Sequence, residues 1–240
     1  MQSARKTFSA YYRRFLKLQE LTREPGLAAL MVIEAFFLFV ATPLASMGWL
    51  PRFVLPSIFI LFVLATIVVT SRSHLAAAIV IVSAILSAVA VVLHADFPSV
   101  LTQWLSTGGR LLVIATLSTV IAKAVFGAGR VTRHRIEGAI VLYMNLALFF
   151  FILYQQIDAL VPNAFSGLPK SGSEHGSGAA LLYFSFSTMT TAAYGDVLPV
   201  FPLARNLANL QAMIGQLFPA TLLARLVTLH IANRAPSKGE

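Results

Sequence analysis

The 240-residue sequence has no cysteine, which excludes disulfides and cysteine-held metals. It is also short of charge: Asp, Glu, Lys and Arg make up 11% of it, where soluble domains carry about 25%. The ten-residue alternation of a membrane β-barrel is missing. So are a 20–50-residue repeat and the inverted pair of broken helices seen in secondary transporters. No H-E-x-x-H string or other metal-ligand spacing occurs; His74, His94, His134 and His230 stand alone near the ends of apolar stretches. What fills the chain instead is apolar: 58% of residues are hydrophobic and the mean hydropathy is +0.79. Water cannot be the solvent around so many apolar side chains with so few ionised ones. The basic excess, 18 Lys and Arg against 9 Asp and Glu, therefore reads as membrane topology, and no nucleic-acid partner is expected.

Six apolar stretches run over Leu27–Leu44, Phe53–Thr70, Leu75–Leu93, Arg110–Phe126, Ile136–Ile157 and Leu203–Ile231. Each approaches the ~20 residues needed to cross about 30 Å of hydrocarbon as a helix. Backbone groups in lipid must bond among themselves, so the expected class is an all-α membrane protein. With the N-terminus inside, Lys and Arg divide 14 inside to 4 outside (Arg52, Arg110, Lys170 and Arg205). The positive-inside rule then places both termini in the cytoplasm of a multi-pass protein of the cell membrane. Trp49 and Trp104, the only tryptophans, fall at the outer interface on this reading. Residues 1–24 read not as a cleavable signal peptide but as a basic amphipathic segment. Phe8, Tyr11, Tyr12 and Phe15 beside Arg13, Arg14 and Lys17 suit either an interfacial helix on anionic lipid or an unstructured basic leader.

Between the fifth and sixth stretches lies a segment that is only partly polar. Residues 158–178 are rich in Gly, Ser and Pro and read as a loop. Ala179 to Thr190 is apolar and aromatic but only about 12 residues long, too short to span and suited to a re-entrant helix. Thr191-Ala192-Ala193-Tyr194-Gly195-Asp196 follows directly. Non-helical backbone at membrane depth must be buried in protein or line a water-filled path.

The string Thr188-Met189-Thr190-Thr191-Ala192-Ala193-Tyr194-Gly195-Asp196 resembles the signature of tetrameric potassium channels, T-x-T-T-V-G-Y-G-D. The order of parts is similar too: outer helix, loop, short pore helix, filter, inner helix. The chain resembles a bacterial six-transmembrane potassium-channel-like protein with an altered filter. The resemblance implies a homotetramer and the following division: a cytoplasmic segment 1–24, a four-helix peripheral unit 25–130, a pore domain 131–234 and a short tail 235–240. It implies passive conduction of a cation, potassium by family, with no cofactor. Carbonyls of Thr191, Ala192, Ala193 and Tyr194 would hold K+, Thr191 would add a hydroxyl ring, and Gly195 would shape the outer mouth. Tyr183 and Phe184 fall at the family's aromatic-cuff positions, where ordinary apolar packing is the alternative. Ser187 stands where some members have a carboxylate. Thr190 and Asp196 flank the filter as support. Gly215 falls at the family's inner-helix hinge, and Pro219 would add a kink there or serve static packing.

The filter departs from the family at Ala192 and Ala193, where Val and Gly stand. The family's glycine takes a left-handed backbone, which costs an L-residue roughly 1–2 kcal/mol. Either Ala193 is held in strain, or its peptide rotates and a carbonyl ring is lost. A second reading therefore stays open: a non-selective or non-conducting channel-like protein that acts as a sensor or assembly partner. A third, an intramembrane enzyme using Ser173, His175 and Ser177, lacks the held geometry that a triad needs.

Ionisable residues inside the spans are few. Glu34 lies about two turns from the cytoplasmic end of the first stretch, and Lys123 at similar depth is its candidate intramembrane partner. Asn145 is expected to bond between helices, and Ser83/Ser87 with Ala84/Ala88 to allow close helix packing. The fourth stretch has Arg110 and Lys123 at its ends, each placed to reach headgroups, and no arginine ladder between them. Voltage sensing needs about 3–4 gating charges per subunit. Open probability in planar-bilayer recordings should therefore stay nearly flat between about −100 and +100 mV.

Overall fold

The computed structural model describes residues 27–51, 54–70, 73–97, 99–127, 133–169 and 174–234. Residues 1–24 and the tail 235–240, and so the expected lipid-binding segment, lie outside them. The chain is helical: α1 spans Leu27–Ser46, α2 Val54–Thr70, α3 His74–Asp96, α4 Val100–Val125, α5 Arg133–Leu160, α6 Glu174–Met189 and α7 Pro202–Arg234. Two two-residue strands, β1 (Phe165–Ser166) and β2 (Leu198–Pro199), pair antiparallel on either side of α6.

Five of these helices, α1, α3, α4, α5 and α7, are long and apolar enough to cross a membrane. The 17 residues of α2 reach about 26 Å. The re-entrant segment starts earlier than its apolar run suggests, at Glu174. The fourth span also starts ten residues before Arg110. Ser99 accepts from the Thr102 backbone N–H while the Thr102 hydroxyl accepts from Ser99 N–H, a capping box that starts α4 at Val100. Arg110 is therefore inside the helix, not at its outer end. It donates to Gln155 Oε1 of α5 at 3.2 Å, beside a 2.6 Å bond from Thr107 to Gln156, instead of reaching for headgroups.

In α1 the turn Phe37–Ala41 is widened to a π-helix. Pro43 has no N–H to give the ladder, and its ring disfavours a regular turn before it. Both the N–H and the hydroxyl of Thr42 bond Phe37 O instead. The turn carries Phe39 onto the ring of Phe186 in α6, centroids 5.2 Å apart.

Helices α3 and α4 approach closely through small residues, as Ser83 and Ser87 foretell. Ser87 Oγ donates to Ser106 O at 3.1 Å. One apolar core joins α1 and α4 to α5 and α6 through Leu30, Leu38, Leu117, Ile121, Leu142 and Leu182. A second gathers Tyr154, Phe165, Phe184 and Val197 on the other side of α6.

Two expected polar contacts take other forms. Glu34 is fully buried, and neither carboxylate oxygen has a hydrogen-bond partner among the described residues. Lys123 is exposed and does not pair with it. It stands two residues past buried Ile121, so the 3.6-residue period turns it to the opposite face of α4. Asn145 does not bond between helices: its amide returns to Val141 O of its own helix at 2.9 Å.

Neighbouring glycines of α4 separate contact from propensity. A Cβ on Gly109 would lie 2.8 Å from Ser83 O, whereas one on Gly108 meets nothing within 4 Å. Gly109→Ala should cost about 1–3 kcal/mol. Gly108→Ala should be neutral or stabilise by up to about 1 kcal/mol. Thermal melts in detergent, followed by circular dichroism, compare the two.

Candidate ion-conducting filter

The helix α6 ends at Met189, and its last four carbonyls would lack donors if the chain simply ran on. All four are satisfied. Phe186 O accepts from Thr190 N–H at 2.9 Å and from the Thr190 hydroxyl at 2.8 Å. Thr188 O accepts from Thr191 N–H at 3.1 Å, and Ser187 O from Ala193 N–H at 3.2 Å. Met189 O accepts from the Tyr143 hydroxyl of α5 at 2.9 Å. The filter segment is thus hooked to the pore helix by its own amides. In a planar trans peptide the carbonyl points opposite to the amide. The carbonyls of Thr190 and Ala192 therefore face away from α6, toward the exposed side.

The backbone through this segment alternates in hand. Thr191 has φ 57°, Ala193 φ 43° and Gly195 φ 83°, whereas Ala192 and Tyr194 do not have positive φ. In a strand of one hand, successive carbonyls point to opposite sides; alternating the hand cancels the flip and turns them to one side. Of the two outcomes expected at Ala193, the structure takes the strained one, at about 1–2 kcal/mol. The same conformation at Thr191 was not foreseen, and for a β-branched residue it is a genuine outlier. Thr191 to Asp196 are all exposed in the single chain.

Behind the filter, the support residues separate in role. Tyr183 stacks on Tyr194, centroids 5.9 Å and planes 14° apart, and its hydroxyl donates to Asp196 Oδ1 at 3.1 Å. Asp196 is thereby a tied carboxylate. Phe184 turns away from the filter into the aromatic cluster with Tyr154 and Phe165, at 5.1 and 5.6 Å, so it is core packing. Ser187 serves through its carbonyl; its hydroxyl bonds Phe184 O at 3.0 Å.

Sequence reasoning passed over the residues that bind the three pore-domain helices together. Gln211 of α7 is fully buried. It donates to Ser185 O and Oγ of α6 at 3.0 and 2.8 Å and accepts from Tyr154 of α5 at 2.7 Å. Ser185 in turn donates to Ala147 O of α5 at 2.6 Å. A glutamine in an apolar inner helix was the available signal. On the outer side, Gly167 (φ 80°) approaches the filter exit so closely that a Cβ there would lie 1.8 Å from Asp196 O.

Gly215 has a contact role beside the expected hinge. The helix α7 runs unbroken from Pro202 to Arg234 through Gly215 and Pro219. A Cβ on Gly215 would lie 1.9 Å from Met189 O. At its inner end, Arg225 donates to the Phe126 and Gly127 carbonyls at the end of α4, the latter at 3.0 Å. The sign of one substitution distinguishes contact from hinge. Gly215→Ala removes a helix-weakening residue and would stabilise a simple hinge by up to about 1 kcal/mol. The contact predicts the reverse, a loss of about 2 kcal/mol or more as α7 is forced off the pore helix. Melting temperature of the purified protein measures it.

No curated protein and no solved structure matches the chain. Residues 138–231, less than half of it, match the family described as "Ion channel". The matched part holds α6, the filter and most of α5 and α7, and it sets aside the intramembrane-enzyme reading. Residues 138–231 of this multi-pass membrane chain are thus similar to the ion channel family, in the part that holds α6 and the segment after it.

Proposed function

We propose that the chain is one subunit of a homotetrameric cation channel that passes potassium down its gradient. The single observation that carries this is the alternating hand at Thr191, Ala193 and Gly195 on an exposed segment hooked to the end of a pore helix. Four such segments around an axis would present stacked rings of carbonyl oxygen in place of the ion's hydration shell. Carbonyls of Thr191, Ala192, Ala193 and Tyr194 would hold K+, and Gly195 would open the outer mouth. The negative end of the α6 dipole, aimed at the same place, favours a cation.

The inner helix supports assembly. Only 11% of the apolar stretch Pro202–Arg225 is buried, against 61% of Arg135–Leu160. A face so bare beside an exposed filter suits contact with further copies of the chain. Our topology has six spans, α2 included, with α6 re-entrant and both termini cytoplasmic in the cell membrane. Exposed Trp49 and Trp104 then lie at the outer interface, and the basic segment 1–24 on anionic lipid. The four helices α1–α4 form the peripheral unit, without an arginine ladder, and residues 131–234 the pore domain.

Strain at Ala193 favours a second reading, a channel-like protein that is non-selective or does not conduct and acts as a sensor or assembly partner. Flux from purified liposomes under opposed potassium and sodium gradients decides between them; no flux, or equal flux of both ions, sinks the potassium reading. Removing the strain should help the first: Ala193→Gly relieves about 1–2 kcal/mol per chain, about 4–8 kcal/mol around four. Potassium conductance or its ratio over sodium should rise, and reversal potentials in bilayers report it.

A further inference from the structure

The pore helix has four terminal carbonyls, and three are satisfied by the segment that follows it. The fourth, Met189 O, is served from elsewhere. Its donor is the Tyr143 hydroxyl, 46 residues earlier on the outer helix, at 2.9 Å. Met189 is fully buried, so water does not replace that donor. The backbone of Gly215 closes the same carbonyl from the inner-helix side, leaving no room for a Cβ. The Tyr143 ring is itself seated, 5.6 Å from the ring of Phe218, which meets Phe126 edge-on at 6.4 Å.

We propose that Tyr143 is a positioning residue for the filter, resting on the channel reading above: its hydroxyl holds Met189 O and so keeps the amides of Thr191 and Ala193 on their own acceptors. Without it, a buried carbonyl at the start of the filter is left without a donor, a costly state. The N–H groups that bond the neighbouring carbonyls Ser187 O and Thr188 O belong to the filter. Drawing one of them over rotates a peptide and turns a carbonyl out of the row. Tyr143 does not touch the ion; it acts through the geometry of the segment that does.

Tyr143→Phe keeps the ring and removes the donor. The full-length variant and wild type are compared in liposomes of phosphatidylethanolamine and phosphatidylglycerol. Two quantities are read: the potassium-to-sodium permeability ratio, and deuterium exchange at the Thr191 and Ala193 amides. Exchange should quicken and the ratio should fall, each by roughly tenfold, the factor given by about 1.4 kcal/mol. Ser87→Ala deletes a comparable hydroxyl bond between α3 and α4 and serves as comparator: it should lower the melting temperature and leave both readouts where they were. Unchanged exchange in Tyr143→Phe overturns the proposal, and so does an unchanged ratio in a conducting protein. A wild type that passes no cation overturns the channel reading alone, and the exchange comparison then decides the positioning by itself.

Discussion

A helix that ends against other parts of its own chain must find donors for its last carbonyls among them. That requirement, at the end of α6, governs the rest of the pore domain. Thr190, Thr191 and Ala193 meet it by folding their amides back, which fixes where the following carbonyls point. The left-handed residues are the consequence: a chain that hooks back at Thr191 and again at Ala193 must reverse hand between them. Strain at Ala193 is thus imposed from behind, by the pore helix.

The surroundings are built to hold such a segment still. Gln211 ties α7 to α6 and α5 through three bonds in a site closed to water. A truncation there would strand partners on two other helices at once. Close backbone approach does the same work without side chains at Gly215 beneath the filter and at Gly167 above it. Tyr183, held against Tyr194 and bonded to Asp196, completes the brace from the side. Helix ends, glycine contacts and buried amides all bear on the six residues from Thr191 to Asp196.

Much of this was legible in the sequence because membrane physics leaves few options. Apolar length located the helices, and the run before Thr191 is a separate helix, α6, as its shortness suggested. The string from Thr188 to Asp196 marked the candidate filter, and the mismatch at Ala193 left two outcomes, of which the backbone takes the strained one. What stayed hidden depends on direction and on close approach. Glu34 is buried and Lys123 exposed, so the expected pair does not face one way. Arg110 looked terminal because the polar start of α4 hid its capping box. Tyr143 and Ser185 are ordinary residues for a membrane helix, and only their partners Met189 O and Gln211 give them a role. A hinge glycine and a contact glycine are the same letter; Met189 O separates them.

The widened turn in α1 has a bearing on how the chain holds its own parts together. By bringing Phe39 onto Phe186, it attaches the first helix to the pore helix of the same chain. The shared apolar core then binds α1 and α4 to that chain's own α5 and α6. The first helix thus rests on the same helix α6 whose end carries Thr191, and a change in it is felt there within its own chain.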